Sequence, residues 1–221
     1  MSAFQKVPPA EFRALAVRPA AEVEWYGYDN PILRETFWRR LVVLDRLLCR
    51  HAKQRSICLD LGSGSGAYLP TLSTRFERVV AADRNTADAA RMVASRGLRN
   101  VTLVERDVFA IPFEPESFDA IVAADVLEHF PDTPPIVERL HEWLRPDGVL
   151  LTSLPTESWL YVLLRKVLRV EKPEDHYFTA REVEATLCRA GFEPIARRFL
   201  PLGIPLTSLF LVTAWRKRAT R

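Results

Sequence analysis

Apolar residues follow two different periods along the chain, and the alternation of these periods predicts helices and strands in turn. The stretch from Pro31 to Arg50 has an apolar residue every three or four positions, which predicts an amphipathic helix with the proline in its first turn. Short apolar runs then predict five strands, at Ser56–Leu61, Arg78–Ala82, Val101–Val104, Phe118–Ala123 and Val149–Ser153. The predicted helices between and after them are Ala67–Arg75, Thr86–Arg96, Pro134–Leu144 and Thr179–Ala190.

Strands that alternate with helices in this way form a mostly parallel sheet that is covered on both faces. The last two predicted strands, Glu193–Leu200 and Thr207–Trp215, are joined by a turn with Pro201 and Gly203, and no helix separates them. They must therefore pair antiparallel, as a hairpin at one edge of the sheet. The predicted fold class is α/β: a doubly wound, Rossmann-like sheet with one reversed strand.

Composition narrows the class of protein. The 221 residues are 48% hydrophobic and 27% charged, which is typical of one globular domain. The net charge of +3 is scattered along the chain, so we expect no nucleic-acid partner. Cys49, Cys58 and Cys188 show no CxxC spacing, which argues against a disulfide framework or a zinc site. Neither a secretory signal nor an unbroken apolar stretch of about 20 residues is present, and we therefore expect a cytoplasmic protein.

The sharpest local signal is a glycine-rich turn in the stretch Leu59–Gly66, directly after the first predicted strand. Gly62, Gly64 and Gly66 allow the backbone to turn tightly and to approach a ligand closely. The motif alone is ambiguous, because Gly62, Gly64 and Ala67 also satisfy the dinucleotide pattern G-x-G-x-x-G/A.

Carboxylates near the ends of successive strands favour one ligand over the other. Asp60, just before the first glycine, would repel a pyrophosphate but suits a cationic amino-acid moiety. Asp83 ends the second strand, where a carboxylate can accept hydrogen bonds from ribose hydroxyls, as it also does in NAD-binding proteins. Asp107 precedes apolar Val108 and Phe109, a combination that suits an adenine ring and its amino group.

These motifs are similar, in order and spacing, to those of class I S-adenosylmethionine (SAM)-dependent methyltransferases. The matching stretches are Leu59–Gly66, Ala82-Asp83, Arg106–Val108, Ile111–Phe113, Ser117–Asp119, Asp125–His129 and Leu144–Gly148. The sequence Asp-Val-Leu-Glu-His after the fourth strand resembles the small-molecule branch. The resemblance spans roughly residues 31 to 215. It implies the strand order 3-2-1-4-5-7-6, with the last strand antiparallel, and SAM as the cofactor.

The resemblance also implies which residues bind SAM. The glycine turn would contact the methionine portion, Asp83 the ribose, and Asp107 and Val108 the adenine. Asp125 would lie near the methionine amino group and the acceptor. The implied site comprises Asp60, Gly62, Ser63, Gly64, Gly66, Asp83, Arg84, Asp107, Val108 and Asp125. One departure is Asp147, where the family usually has a glycine, but this position is a turn that tolerates aspartate.

Methyl transfer from a sulfonium requires mainly alignment, and a base only if the acceptor must lose a proton. His129, in the loop after the fourth strand, and His176, between the fifth strand and the next helix, are the candidates for a catalytic base. Either histidine could instead stabilise its own loop. An Asn/Asp-Pro-Pro-aromatic motif and a cysteine are both absent after the fourth strand. Their absence leaves hydroxyl or carbon methylation of a small molecule as the leading class.

The domain organisation predicted from the sequence is a SAM-binding domain over residues 31–221, with an insertion at 155–178. The segment Glu157–Arg169 has an apolar face, Trp159 included, and a face with three cations. It is expected to cover an apolar acceptor, to lie on a membrane surface, or to be an ordinary core helix. The segment 1–30 is expected to contribute to the same lid. The predicted pocket residues are Trp25, Tyr26, Tyr28, Trp159 and Tyr177.

Three functional hypotheses follow. The first is an O- or C-methyltransferase for an apolar small molecule such as a quinone, polyketide or lipid precursor, with possible peripheral membrane contact. The second is a SAM-binding partner or regulatory subunit without activity. The third, an NAD-dependent oxidoreductase, is disfavoured because neither a Tyr-x-x-x-Lys pair nor a second domain is visible. The sequence does not indicate the oligomeric state.

Overall fold

The structure, a computed structural model, describes residues 3–16, 30–168 and 177–218, and the strands form a single seven-stranded sheet. The strands are β1 (Ile57–Leu61), β2 (Arg78–Asp83), β3 (Val101–Glu105), β4 (Phe118–Ala124), β5 (Leu144–Pro155), β6 (Phe192–Leu200) and β7 (Phe210–Lys217). The helices are α1 (Pro9–Leu15), α2 (Pro31–His51), α3 (Leu69–Ser73), α4 (Ala87–Arg96), α5 (Thr133–Trp143), α6 (Trp159–Leu168) and α7 (Ala180–Arg189). No helix within these ranges is both long and apolar enough to cross a bilayer.

The order of the strands across the sheet is β3-β2-β1-β4-β5-β7-β6. β1 pairs in parallel with β2 and β4, whereas β7 runs antiparallel to both β5 and β6. This arrangement confirms the predicted α/β class, the strand order and the reversed last strand. It also brings the carboxyl ends of the parallel strands β1, β2, β3 and β4 together on one side of the molecule, where ligands of doubly wound folds bind.

Successive side chains of each strand point to opposite faces, and this alternation builds two apolar cores. Cys58, Val122 and Leu151 point into the core that α1, α2, α3 and α4 cover. Leu59 and Ile121 are among the residues that point into the core covered by α5 and α7. Because the central strands are buried on both faces, they are almost continuously apolar, and this is the pattern that makes them recognisable in the sequence.

Three predicted boundaries were wrong. The helix expected over Ala67–Arg75 is only the single turn α3. The glycine-rich turn before it and Pro70 within it leave few residues able to make helical hydrogen bonds. β5 begins at Leu144 rather than Val149, and Leu144 pairs with Phe118 before an irregularity in the pairing. β7 begins at Phe210 rather than Thr207, because Pro205–Thr207 form a 3₁₀ turn.

The sequence pattern did not predict α1. Its Phe12 is buried and packs edge-on against Trp38 of α2, with ring centroids 6.4 Å apart. Phe4 lies between Trp38 and Tyr68, at 6.1 and 6.0 Å. The described part of the N-terminal segment therefore packs on α2 and on Tyr68, the residue directly before α3. The role of the whole segment 1–30 in a lid stays a prediction.

Candidate active site

The glycine turn after β1 is compact and is fixed to both neighbouring strands. Gly62 has a φ of +69° and donates its N–H to the carbonyl oxygen of Ala82 at 2.8 Å. A Cβ at Gly62 would lie 2.5 Å from Cγ2 of Val126, which follows β4. The backbone therefore passes between the ends of β2 and β4 at a point where no side chain fits.

Asp83, the last residue of β2, fixes the middle of this turn. Its Oδ2 accepts the N–H of Gly64 at 2.8 Å, and its Oδ1 accepts the N–H of Asn85 at 3.0 Å. A carboxylate has about four acceptor positions, so both oxygens keep capacity for a ligand. Asp83 thus links the glycine turn to β2 and still offers the acceptor chemistry that a ribose requires.

The neighbouring loop is fixed in the same way by Glu105, at the end of β3. One Glu105 oxygen accepts both the N–H and the hydroxyl of Thr86, at 2.9 and 2.8 Å. These hydrogen bonds favour the charged carboxylate and lower the pKa of Glu105. Asp83 and Glu105 are also register partners in the sheet. Arg84 lies between these fixed points with its side chain exposed.

Two buried polar groups line the turn. Asp60, within β1, is buried although it carries a carboxylate. Ser63 is also buried, and its hydroxyl has no hydrogen-bond partner among the described residues. A buried hydroxyl without a partner is costly, so this group is available for a hydrogen bond to a bound ligand or a water molecule.

The segment after β3 combines a carboxylate with apolar side chains. Asp107 caps the 3₁₀ turn Val108–Ala110 by accepting the N–H of Phe109 at 2.9 Å. Val108 is buried, whereas the Phe109 ring is 45% exposed and packs edge-on against Phe130. A carboxylate beside an exposed ring and an aliphatic side chain can bind a planar heterocycle that carries a donor group.

Asp125, directly after β4, has an unusual backbone and an unexpected partner. Its φ is +51°, and its N–H donates to the carbonyl oxygen of Ser153 in β5 at 2.8 Å. Its carboxylate forms an ion pair with Arg40 of α2. Sequence analysis missed Arg40, although a signal was present. Arg40 lies three residues after Phe37 and four before Leu44, and is therefore a charged residue on the apolar stripe of an amphipathic helix.

The structure describes one of the two predicted histidines. His129 ends the 3₁₀ turn Leu127–His129, is half-buried, and lies four residues after Asp125. His176 lies outside the described residues, as do Trp25, Tyr26 and Tyr28.

The two remaining predicted pocket residues lie at the surface. The side chains of Trp159 and Tyr177 are 59% and 55% exposed. The N–H of Tyr177 donates to the carbonyl oxygen of Glu128 at 2.9 Å, which places the end of the insertion beside the loop of His129.

α6 is attached to the sheet through its first turn. The hydroxyl of Ser158 donates to the carbonyl oxygen of Ser208 at 2.6 Å, and the Tyr161 ring packs against Phe210 with centroids 6.4 Å apart. Leu160 is partly buried in the core, whereas Leu163 is exposed. α6 thus contacts the first residue of β7 on one side and leaves apolar side chains uncovered on the other.

Comparison with known proteins agrees with this geometry. The family described as a methyltransferase domain matches residues 33–197. A demethylmenaquinone methyltransferase of Corynebacterium kroppenstedtii is 28% identical over 204 residues, which cover 81% of this chain and 86% of the relative. A ubiquinone biosynthesis O-methyltransferase of Xanthomonas campestris is 27% identical over 69% of this chain and 62% of its own length. The N-methyltransferase NodS of Bradyrhizobium japonicum, solved with S-adenosyl-L-homocysteine, has a TM-score of 0.69 at 20% identity, covering 95% and 98% of the two chains.

Proposed function

Because the chain belongs to the methyltransferase-domain family and is a SAM-dependent methyltransferase, we propose that it methylates the oxygen or carbon of a small apolar acceptor. The observation that carries this proposal is the cluster of aromatic rings around Arg40, the ion-pair partner of Asp125. Phe37 and Phe210 pack against each other, with centroids 5.3 Å apart, beside the Arg40 that pairs with Asp125, and Tyr161 packs on Phe210 from α6. An aromatic cluster beside the proposed site favours an acceptor with an apolar ring or chain.

Family membership identifies the cofactor as SAM rather than a dinucleotide, and the turn after β1 fits it. SAM supplies an activated methyl group together with its own leaving group. In our proposal the glycine turn and the buried Ser63 hydroxyl hold the methionine portion. Asp83 accepts hydrogen bonds from the ribose hydroxyls, because its two hydrogen bonds from backbone N–H groups leave acceptor positions free on both oxygens. Val108 and Phe109 contact the adenine, with Asp107 at its amino group.

The names of two relatives support an apolar acceptor. One acts on demethylmenaquinone and the other in ubiquinone biosynthesis, so both are named for quinone chemistry. A phenolic hydroxyl or an acidic ring carbon must lose a proton when it is methylated, and a nearby base assists that loss. We propose His129 as this base, since the short turn in which it lies begins two residues after Asp125. His176 stays a second candidate from the sequence.

The proposal is tested by incubating the purified protein with SAM and a set of candidate acceptors. The set contains reduced demethylated quinones, catechols and acidic carbon compounds of increasing apolar chain length, and matched amines. We expect formation of S-adenosyl-L-homocysteine together with products that gain one methyl group on oxygen or carbon, detected by mass spectrometry. Turnover per acceptor should rise with chain length. Methylation confined to the amines, or to charged acceptors without an apolar part, would contradict the proposal.

His129 is tested in the same assay. His129→Gln should lower turnover by about 10²–10⁴-fold if the imidazole acts as the base, while affinity for SAM stays within about twofold. Unchanged turnover on the best acceptor would remove His129 from the mechanism.

A further inference from the structure

Arg40 lies in an environment that is unusual for an arginine. Its side chain is 4% exposed, and it projects from α2 toward the edge of the sheet where β4 and β5 end. Arginine is almost never fully buried unless a partner compensates its charge. Burial of this cation next to the site therefore calls for an explanation that ordinary packing of α2 does not give.

The guanidinium is fixed between two aromatic rings. Its Cζ lies 5.1 Å from the centroid of Phe37 on the same helix and 5.0 Å from the centroid of Phe210, the first residue of β7. Each distance is within the range of a cation–π contact, which is stronger where water is excluded. The two rings leave the planar group little freedom to move.

The same guanidinium forms an ion pair with Asp125, whose side chain keeps 24% of its surface exposed. Asp125 is constrained as well, because its φ is +51° and its N–H is bound to Ser153. Arg40 thus holds Oδ2 from the side of α2, and the Ser153 hydroxyl donates to Oδ1 at 3.5 Å. The exposed side of the carboxylate stays open. A carboxylate can accept up to about four hydrogen bonds, so an ammonium group can bind on the open side without displacing Arg40.

We propose that Arg40 is a positioning residue, which acts through Asp125 to hold the carboxylate that receives the amino group of SAM. This inference rests on the proposed function, in which Asp125 lies at the methionine end of the cofactor. Preorganisation of a binding group lowers the cost of ordering it when the ligand arrives. α2, which precedes the SAM-binding strands, therefore takes part in cofactor binding without itself contacting the cofactor.

The test is a double-mutant cycle in the affinity for S-adenosyl-L-homocysteine, measured by calorimetry on the full-length protein. Asp125→Asn should weaken binding by about 10–100-fold, as expected for the loss of a charge-assisted hydrogen bond. Arg40→Met should weaken it by about tenfold in the wild-type background but by less than about twofold in the Asp125→Asn background. Arg40→Lys, which keeps the charge and loses the planar fork, should give a smaller loss with the same dependence on Asp125.

Arg75 provides the matched control. It is another buried arginine paired with an acid of α2, since its Nη2 lies 2.9 Å from Oδ2 of Asp45. Arg75→Met should lower the unfolding temperature and leave the affinity for S-adenosyl-L-homocysteine unchanged. If Arg40→Met does not fold, the comparison of Arg40→Lys in the two backgrounds decides the question.

Two outcomes would overturn the inference about Arg40, and they differ in whether they also contradict the placement of Asp125 in the SAM site. If Asp125→Asn weakens binding and the Arg40 variants cause the same further loss in both backgrounds, Arg40 acts independently of Asp125, and only the inference fails. If Asp125→Asn leaves the affinity unchanged, the proposed placement of Asp125 fails as well. In that case the apolar-acceptor proposal still stands on the acceptor assay.

Discussion

Single residues of the site are constrained by neighbours that lie far away in the chain. Gly62 illustrates this, because its positive φ and the contact with Val126 exclude a side chain for two separate reasons. The first reason is local and is common to many turns. The second depends on the packing of β1 against β4, and it makes the position sensitive to a single methyl group.

Gly62→Ala should therefore destabilise the protein by about 3 kcal/mol or more, which combines left-handed strain with overpacking. Thermal unfolding should show a midpoint about 6–12 °C lower. Gly97→Ala is the matched control, since Gly97 has a φ of +60° and, among the described residues, no atom other than those of its immediate surroundings in the chain lies within 4 Å of the point that its Cβ would occupy. It should cost only about 1 kcal/mol. Equal losses for the two variants would show that contact with Val126 does not matter.

Asp83→Ala should weaken SAM binding by about 10–100-fold, because the variant loses charge-assisted hydrogen bonds. Loss of the acceptor for the Gly64 N–H should add to the effect by loosening the turn. Asp147→Ala is a suitable control, because Asp147 is exposed and pairs only with Lys53 in the described part of the chain. Calorimetry with SAM distinguishes the two variants. A wild-type dissociation constant for Asp83→Ala, with the fold intact, would remove Asp83 from the site.

The strand-end carboxylates could be located from the sequence because their positions follow from local patterns. Each of them, Asp60, Asp83 and Asp107, lies within or just after a short apolar run. Parallel strands bring such residues together at their carboxyl ends. Arg40 could not be assigned a role, since its partner Asp125 belongs to another part of the chain. An isolated charge on an apolar stripe signals that a partner exists, but it does not say which one.

At the scale of elements, the start of α7 and the start of β5 show what local sequence can predict. α7 begins at the predicted Thr179 with a capping box, in which Glu182 accepts the Thr179 N–H at 2.8 Å and the Thr179 hydroxyl accepts the Glu182 N–H in return. All of these groups lie within four residues. β5 begins five residues earlier than predicted, because the pairing of Leu144 with Phe118 is a tertiary contact that the turn residues around Gly148 conceal.

α6 gives the prediction at this scale. Its exposed Trp159 and Leu163 are suited to contact an apolar acceptor, whereas the SAM loops come from other elements. Trp159→Ser combined with Leu163→Ser should lower kcat/KM for the acceptor by about 100-fold or more, in line with the loss of about 1.5–3 kcal/mol per apolar side chain. SAM affinity should stay unchanged. Ile32→Ser, an exposed apolar residue on α2, is the control.

A wild-type kcat/KM for that double variant would argue against the lid. Sedimentation of the wild-type protein with anionic vesicles, reversed by salt, would instead favour the membrane interpretation of this helix.

At the scale of the whole molecule, stability should depend on pH through two histidines. Burial lowers the pKa of His141, with Lys217 adding to the effect, and burial also lowers the pKa of His51 beside Arg216, Arg50 and Arg198. The unfolded chain therefore takes up protons first as the pH falls below about 6.5. Stability is full above that pH and decreases below it, until the folded pKa is passed.

The midpoint temperature of unfolding should accordingly decrease as the pH is lowered from about 7 to about 5.5. This range lies above the pH at which most carboxylates titrate. His51→Gln combined with His141→Gln should flatten this dependence, because glutamine cannot be protonated. Calorimetric scans of both proteins across the range provide the measurement. An identical slope in the double variant would mean that other groups cause the pH dependence.

The place of β7 in the sheet has a consequence for the synthesis of the protein. β7 lies between β5 and β6, although it follows both of them in the chain, and its Trp215 donates to the buried hydroxyl of Thr152 in β5 at 2.9 Å. While a ribosome is still translating this region, β5 has an open edge and β6 has no strand to join. The glycine turn emerges early, yet its sheet is completed only after Lys217 has left the exit tunnel. The nascent chain therefore carries the unpaired edge of β5 from the emergence of that strand until β7 emerges, and during this interval chaperones that bind exposed apolar strands can attach to it.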